Sequence, residues 1–163
     1  MKTMFRFVTI AMMLVLALVL AACGGNNAGG TSSGGTTGDA SATTLELGSD
    51  GEQLVYDKTE LSAPAGSAVT VRFQNNSAAQ QHNWVLVNGD GTVADTVSEA
   101  GLTAGPDAGY LAAGDANVLA NTPLANGGET VEVSFTAPPA GTYIYVCTVP
   151  GHSVLMRGTF TSQ

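Results

Sequence analysis

From Thr43 onward the chain alternates apolar and polar residues in short runs. Leu45 and Leu47 flank Glu46, Val69, Val71 and Phe73 interleave with Thr70 and Arg72, and Val131, Val133 and Phe135 interleave with Glu132 and Ser134. A period of two places one face of each run on a core and the other toward solvent, which is the signature of half-buried strands. The runs are separated by turn formers: Ala63-Pro64-Ala65-Gly66, Asn88-Gly89-Asp90-Gly91, Asn126-Gly127-Gly128 and Ala137-Pro138-Pro139-Ala140-Gly141. Seven or eight such strands between residues 43 and 163 predict an all-β, two-sheet sandwich. The stretch from Thr92 to Asn121 breaks the pattern. Val93, Ala94 and Val97 suggest a short helix, whereas Gly101, Gly105, Pro106, Gly109 and Gly114 argue against a long one, so this segment reads as an irregular insertion between strands.

A different pattern precedes the sandwich. Lys2 and Arg6 lead into an apolar run from Phe7 to Leu20, followed by Leu20-Ala21-Ala22-Cys23, the layout of a bacterial export signal ending at a lipid-accepting cysteine. The expected organisation is a signal peptide over 1–22, a lipidated Cys23 with a Gly/Ser/Thr-rich tether over 23–42, and one domain over 43–163. The alternative is a retained N-terminal span, since the apolar run approaches the length that crosses a bilayer. Both place the domain outside the cytoplasm, on the periplasmic face of the cell membrane. The tether has no apolar periodicity and cannot bury enough surface to fold.

Removal of Lys2 and Arg6 leaves three basic side chains against thirteen acidic ones, a net charge of −10. Nucleic acid is an unsuitable partner for so acidic a surface. Cysteine usage narrows the chemistry further. With Cys23 committed to lipid, Cys147 is the remaining thiol, without a disulfide partner in an oxidising compartment. A metal would protect it.

The segment CTVPGHSVLM gathers Cys147, His152 and Met156 just after a predicted strand, with Pro150-Gly151 turning the chain back. His82, the other histidine, opens QHNWVLV, a predicted strand with Trp84 and Leu86 on the same face as the imidazole. Alone, such a histidine is more often structural and hydrogen-bonded than a ligand. Together the four residues offer two imidazoles, a thiolate and a thioether, the donor set of blue-copper electron-transfer sites. Structural zinc would favour a fourth Cys or His over Met, a Cys-His hydrolase would need an orienting Asn or Asp near His152, and a binuclear copper centre would need a second cysteine.

QHNWVLV and CTVPGHSVLM resemble the copper-binding segments of the cupredoxins, small blue-copper proteins with a Greek-key β-sandwich. Four residues separate Cys147 from His152 and three separate His152 from Met156, a spacing similar to that of the azurin loop. The lipid-attachment motif, the tether and the segments LELGSDGEQLVYDKTELSAPAG and LANGGETVEVSFTAPPAGTYIYVCTVPGH are similar to those of membrane-tethered cupredoxins of filamentous anoxygenic phototrophs. The disulfide of azurin has no counterpart. The resemblance implies one type 1 copper ion cycling between Cu(I) and Cu(II), held by His82, Cys147, His152 and Met156, with the Gln81 carbonyl as a weak axial contact. It also implies that Asn83 hydrogen-bonds across to Thr148. His152, within an apolar patch of Pro150, Val154 and Leu155, is expected to be the exposed edge where electrons enter. The implied function is electron transfer without catalysis or a small-molecule substrate, by a monomer in a photosynthetic or respiratory chain. Its implied partners are a quinol-oxidising complex as donor and a reaction-centre cytochrome as acceptor. Copper storage or delivery outside the cytoplasm is the alternative, although such proteins expose clusters of Met or His that this chain lacks.

Overall fold

A computed structural model of the chain describes residues 42–163; the expected export signal, Cys23 and nearly all of the tether lie outside the described residues. Eight strands are present among the described residues: β1 (Thr43–Gly48), β2 (Glu60–Ala63), β3 (Ala68–Gln74), β4 (Val85–Val87), β5 (Val118–Asn121), β6 (Thr130–Thr136), β7 (Gly141–Val146) and β8 (Arg157–Ser162). They form a three-stranded sheet in the order β1-β3-β6 and a five-stranded sheet in the order β2-β8-β7-β4-β5. The architecture is a two-sheet β-sandwich, as the alternation predicted, with the Greek-key arrangement that the resemblance implied.

Register explains why the alternation is so clean in the smaller sheet. Leu45 lies opposite Val71 and Leu47 opposite Phe73 in the parallel β1–β3 pair, while Val69, Val71 and Phe73 face Phe135, Val133 and Val131 across the antiparallel β3–β6 pair. Every inward side chain therefore meets an inward partner, the condition under which a one-residue slip would turn the whole apolar set outward. Against this face the larger sheet presents Trp84, Leu86, Tyr145 and Phe160, all with no exposed surface. Trp84 stacks at 5.7 Å from Tyr145 and 5.9 Å from Phe135, and Tyr56 meets Tyr145 at 5.3 Å in an edge-on contact. Each fully buried side chain of this size removes about 1.5–3 kcal/mol of unfavourable hydration. Tyr145 fits because its cross-strand neighbour on β8 is Gly158, where an added Cβ would lie 2.3 Å from the phenol ring.

The insertion is more regular than its glycines suggested. A helix, α1 (Gly91–Ala104), runs for 14 residues, followed by a 3-10 turn (Pro106–Ala108), and β5 pairs antiparallel with β4. Asp90 caps the helix, accepting from the Thr92 amide at 2.9 Å and the Val93 amide at 3.3 Å. Gly101 does not break α1 because its role is steric: a Cβ there would sit 2.1 Å from the Tyr110 carbonyl oxygen, so glycine lets the returning chain pack against the helix. The helix ends at Gly105, which has φ of +80°. Ala94 and Val97 bury against Val85, Val87 and Val146 on the outer face of the larger sheet. β4 and β7 are thus covered on both sides, which accounts for the continuous apolar run Val85-Leu86-Val87.

Candidate metal centre

His82 precedes β4 rather than lying within it. It exchanges backbone hydrogen bonds with Ala125, its amide donating at 3.1 Å and its carbonyl accepting at 2.8 Å. Cys147 follows immediately after β7, and its amide donates to the Met156 carbonyl at 2.9 Å. Between them the chain makes one tight excursion: the His152 amide donates to the Val149 carbonyl at 3.0 Å and the Met156 amide to the His152 carbonyl at 2.8 Å, with Gly151 turning at φ +83°. Proline and glycine allow the turn, and the bonds within the loop fix it.

The loop and the β4 approach bring three donors together. The Nδ1 atoms of His82 and His152 are 3.1 Å apart, and the Cys147 Sγ lies 3.8 Å from the first and 3.6 Å from the second. No carboxylate joins this group, and all three residues are buried. A first-row ion with donor distances of about 2.0–2.3 Å, centred among three donors, requires them to be about 3.5–4.0 Å apart. Both sulfur distances fall in that range, and the two nitrogens are slightly closer. Two imidazoles and one thiolate in a trigonal set suit copper. Met156 is fully buried in the same cluster as Cys147. The side chain of Gln81 is exposed and donates to Asn126 Oδ1 at 2.7 Å.

Burial sets the protonation of this cluster. Desolvation, aided by the neighbouring His152, pulls the His82 pKa down to about 4, and burial lowers His152 as well. Burial raises the Cys147 thiol to about 11, opposed by backbone hydrogen bonds from Asn83 and Val149. Without metal, the site therefore favours neutral imidazoles and a neutral thiol. Binding of a cation must expel the thiol proton, and the two N–H groups directed at the sulfur favour the resulting thiolate.

Asn83 joins the two halves of the site. Its Nδ2 donates to Thr148 Oγ1 at 2.8 Å and to the Gly109 carbonyl at 3.0 Å, and its Oδ1 accepts from the Thr148 amide at 2.9 Å. The surface above the site differs from the sequence expectation in one respect. Only 9% of His152 is exposed, so it offers a narrow edge within the patch. Val154 and Leu155 carry the exposed apolar surface, at 73% and 62%, and Pro150 is exposed beside them.

Several contributors had no local signal. Tyr56 donates its hydroxyl to the Asn83 carbonyl at 2.7 Å, and Thr122 Oγ1 accepts from the Trp84 amide at 3.0 Å. Asn75, just after β3, is fully buried. It donates to the carbonyls of Gln80 at 2.8 Å and Ala125 at 3.0 Å, and accepts from the Ser77 amide at 3.0 Å. That residue shapes the turn delivering His82.

Comparison with known proteins agrees with this geometry. The family model for copper binding proteins, plastocyanin/azurin family, matches residues 43–163, and the chain belongs to that family. Within it, the chain is 58% identical to auracyanin-A of Chloroflexus aurantiacus over 158 residues, covering 97% of each chain. The solved structure of auracyanin A, described as a "blue" copper protein from a green thermophilic photosynthetic bacterium, superposes with a TM-score of 0.73 over 75% of this chain and 99% of that one. A reduced auracyanin from Roseiflexus castenholzii gives a TM-score of 0.72 at 44% identity, over 75% of this chain and 98% of that one. The cofactor that fits the site is one type 1 copper ion.

Proposed function

We propose that this chain is a blue-copper electron shuttle, tethered by lipid at Cys23 to the outer face of the cytoplasmic membrane. The observation that carries this reading is the buried His82–Cys147–His152 triangle beneath an exposed apolar rim. Bound there, copper supplies a one-electron couple between Cu(I) and Cu(II).

The protein residues determine whether that couple is fast. His82 is fixed by backbone pairing with Ala125, the loop donors by their own hydrogen bonds, and Asn83 locks one to the other. Donors that do not move between oxidation states keep the barrier low. Burial excludes water from the donors, while Val154 and Leu155 offer a contact surface that can be desolvated at small cost. Beside this rim, a groove of about 310 Å³ runs between α1 and the ligand loop, lined by Asp95, Glu99, Leu102, Pro150 and Val154. An apolar floor with carboxylates at one side suits brief docking to a redox partner with a basic rim. The partners in this proposal are a quinol-oxidising complex as donor and a reaction-centre cytochrome as acceptor, as the resemblance to membrane-tethered cupredoxins of phototrophs implies. Copper delivery is disfavoured by the depth of the donors, which an exchanging partner could not reach without opening the loop.

Loading the full-length chain with one equivalent of copper should give an intense visible band that bleaches and returns reversibly with one electron. A colourless product, or copper passing to a mild chelator faster than electrons pass to a redox dye, would overturn the shuttle in favour of storage or delivery. Cys23→Ser should move the protein from the membrane to the soluble fraction, and an unchanged distribution would remove lipidation from the proposal.

A further inference from the structure

Arg157, the first residue of β8, follows Met156 directly and lies opposite Val146, the last residue of β7 before Cys147. Its guanidinium points back over the ligand loop. Nε donates to the Ser153 carbonyl at 2.6 Å, and Nη2 reaches Asp95 Oδ1 on α1 at 2.7 Å. Nη1 lies against the first turn of the helix, where a Cβ added to Gly91 would be 3.4 Å away. A single planar group thus joins the middle of the ligand loop to the helix beside it. The helix is a firm support, since Ala94 and Val97 anchor it to β4 and β7.

Ser153 lies between His152 and Met156, and its carbonyl is the loop atom that Arg157 holds. Within the loop the bonds are short-range, His152 to Val149, Leu155 to His152 and Met156 to His152, and the Cys147 amide to Met156 carbonyl bond closes its base. All of them could survive a rigid tilt of the loop away from β4. The Arg157 bridge resists that tilt from outside the loop, through contacts separate from those of the Asn83–Thr148 pair.

We propose that Arg157 is a positioning residue, which uses Asp95 as its anchor to clamp the stretch from His152 to Met156 in place. The clamp requires two directions at once, toward a carbonyl and toward a carboxylate. A guanidinium supplies both from one rigid plane, and an ammonium does not. Exposed ion pairs contribute little to global stability, so the effect is local to the loop. This inference rests on the copper-shuttle reading for its purpose, but the clamp itself exists without metal.

Three variants of the full-length chain test it: Arg157→Gln, Arg157→Lys and Asp95→Ala. Amide hydrogen exchange at Leu155 and Met156 in the metal-free protein should accelerate about 10-fold in all three, with the unfolding midpoint little changed. In the copper-loaded protein, all three should displace the visible band in the same direction. A purely electrostatic role gives a different pattern: Arg157→Lys would behave as the parent, and Arg157→Gln and Asp95→Ala would shift the potential in opposite senses. That pattern, or unchanged exchange at both amides, overturns the clamp. Because the exchange measurement needs no copper, failure of the shuttle reading leaves it interpretable.

Discussion

The two sides of the metal centre are built by opposite strategies. On one side stands His82, supported by contacts that are remote in sequence: Ala125 across the chain reversal, Asn75 shaping the preceding turn, and Tyr56 bonded to the next carbonyl. On the other, Cys147, His152 and Met156 share ten residues and are held largely by bonds inside those ten. A remote frame gives His82 complete burial, and a local loop leaves His152 a narrow exposed edge and its neighbours a broad one. One side is made rigid by the fold, and the other is made accessible by its brevity. Asn83 is the principal connection between them.

Removing a donor from the loop should have the largest effect. Cys147→Ser should abolish the intense visible band altogether, since the absorption depends on the thiolate sulfur. A band of parental intensity in this variant would mean that the donors lie elsewhere. Cutting the connection comes next. Asn83→Leu keeps the branching at Cγ but leaves the buried Thr148 amide without its acceptor, costing about 2–4 kcal/mol in chemical denaturation. A loss below about 0.5 kcal/mol would show that the two sides hold their places independently.

Acid should distinguish the sides more gently. The folded pKa of His82 is depressed to about 4, so the unfolded chain binds more protons between roughly pH 6.5 and 4. The stability of the metal-free protein is fully present above pH 6.5 and should fall as pH drops through that window. The loss should be on the order of 2 kcal/mol after allowance for partial screening. His152 shifts in the same direction. The thiol has the opposite sense. Its folded pKa is raised to about 11, so stability should also decline as pH rises from about 9. A flat profile from pH 7 to 4 would show that His82 is not desolvated. The smallest structural effect belongs to the rim. Val154→Asp should leave stability and absorption unchanged yet slow exchange with a membrane partner several-fold, because the new carboxylate must shed water on contact. Parental rates would place the docking face away from the loop.

These contrasts also explain what could be read from sequence. The local side was legible because its donors, its Pro150-Gly151 turn and its preceding strand lie in one continuous segment. So were β3 and β6, whose alternation reflects one buried face. The frame around His82 was less legible. Asn75 carried no local signal because its partners Gln80 and Ala125 are chosen by tertiary structure, and Arg157 carried no motif at all. The extent of α1 was masked by Gly101, whose meaning depends on the Tyr110 carbonyl that approaches it. Glycine looks alike in sequence whether it ends a helix or admits a neighbour. Loop composition likewise did not reveal how little of His152 reaches the surface.

Trp84 is the chain's single tryptophan, and it lies fully buried between Tyr145 and Phe135 with no hydrogen-bond partner for its indole N–H. A buried indole whose N–H makes no hydrogen bond emits at shorter wavelength than one exposed to water. The protein therefore contains its own optical gauge. A shift of that emission to longer wavelength registers water entering the sandwich, with no label attached.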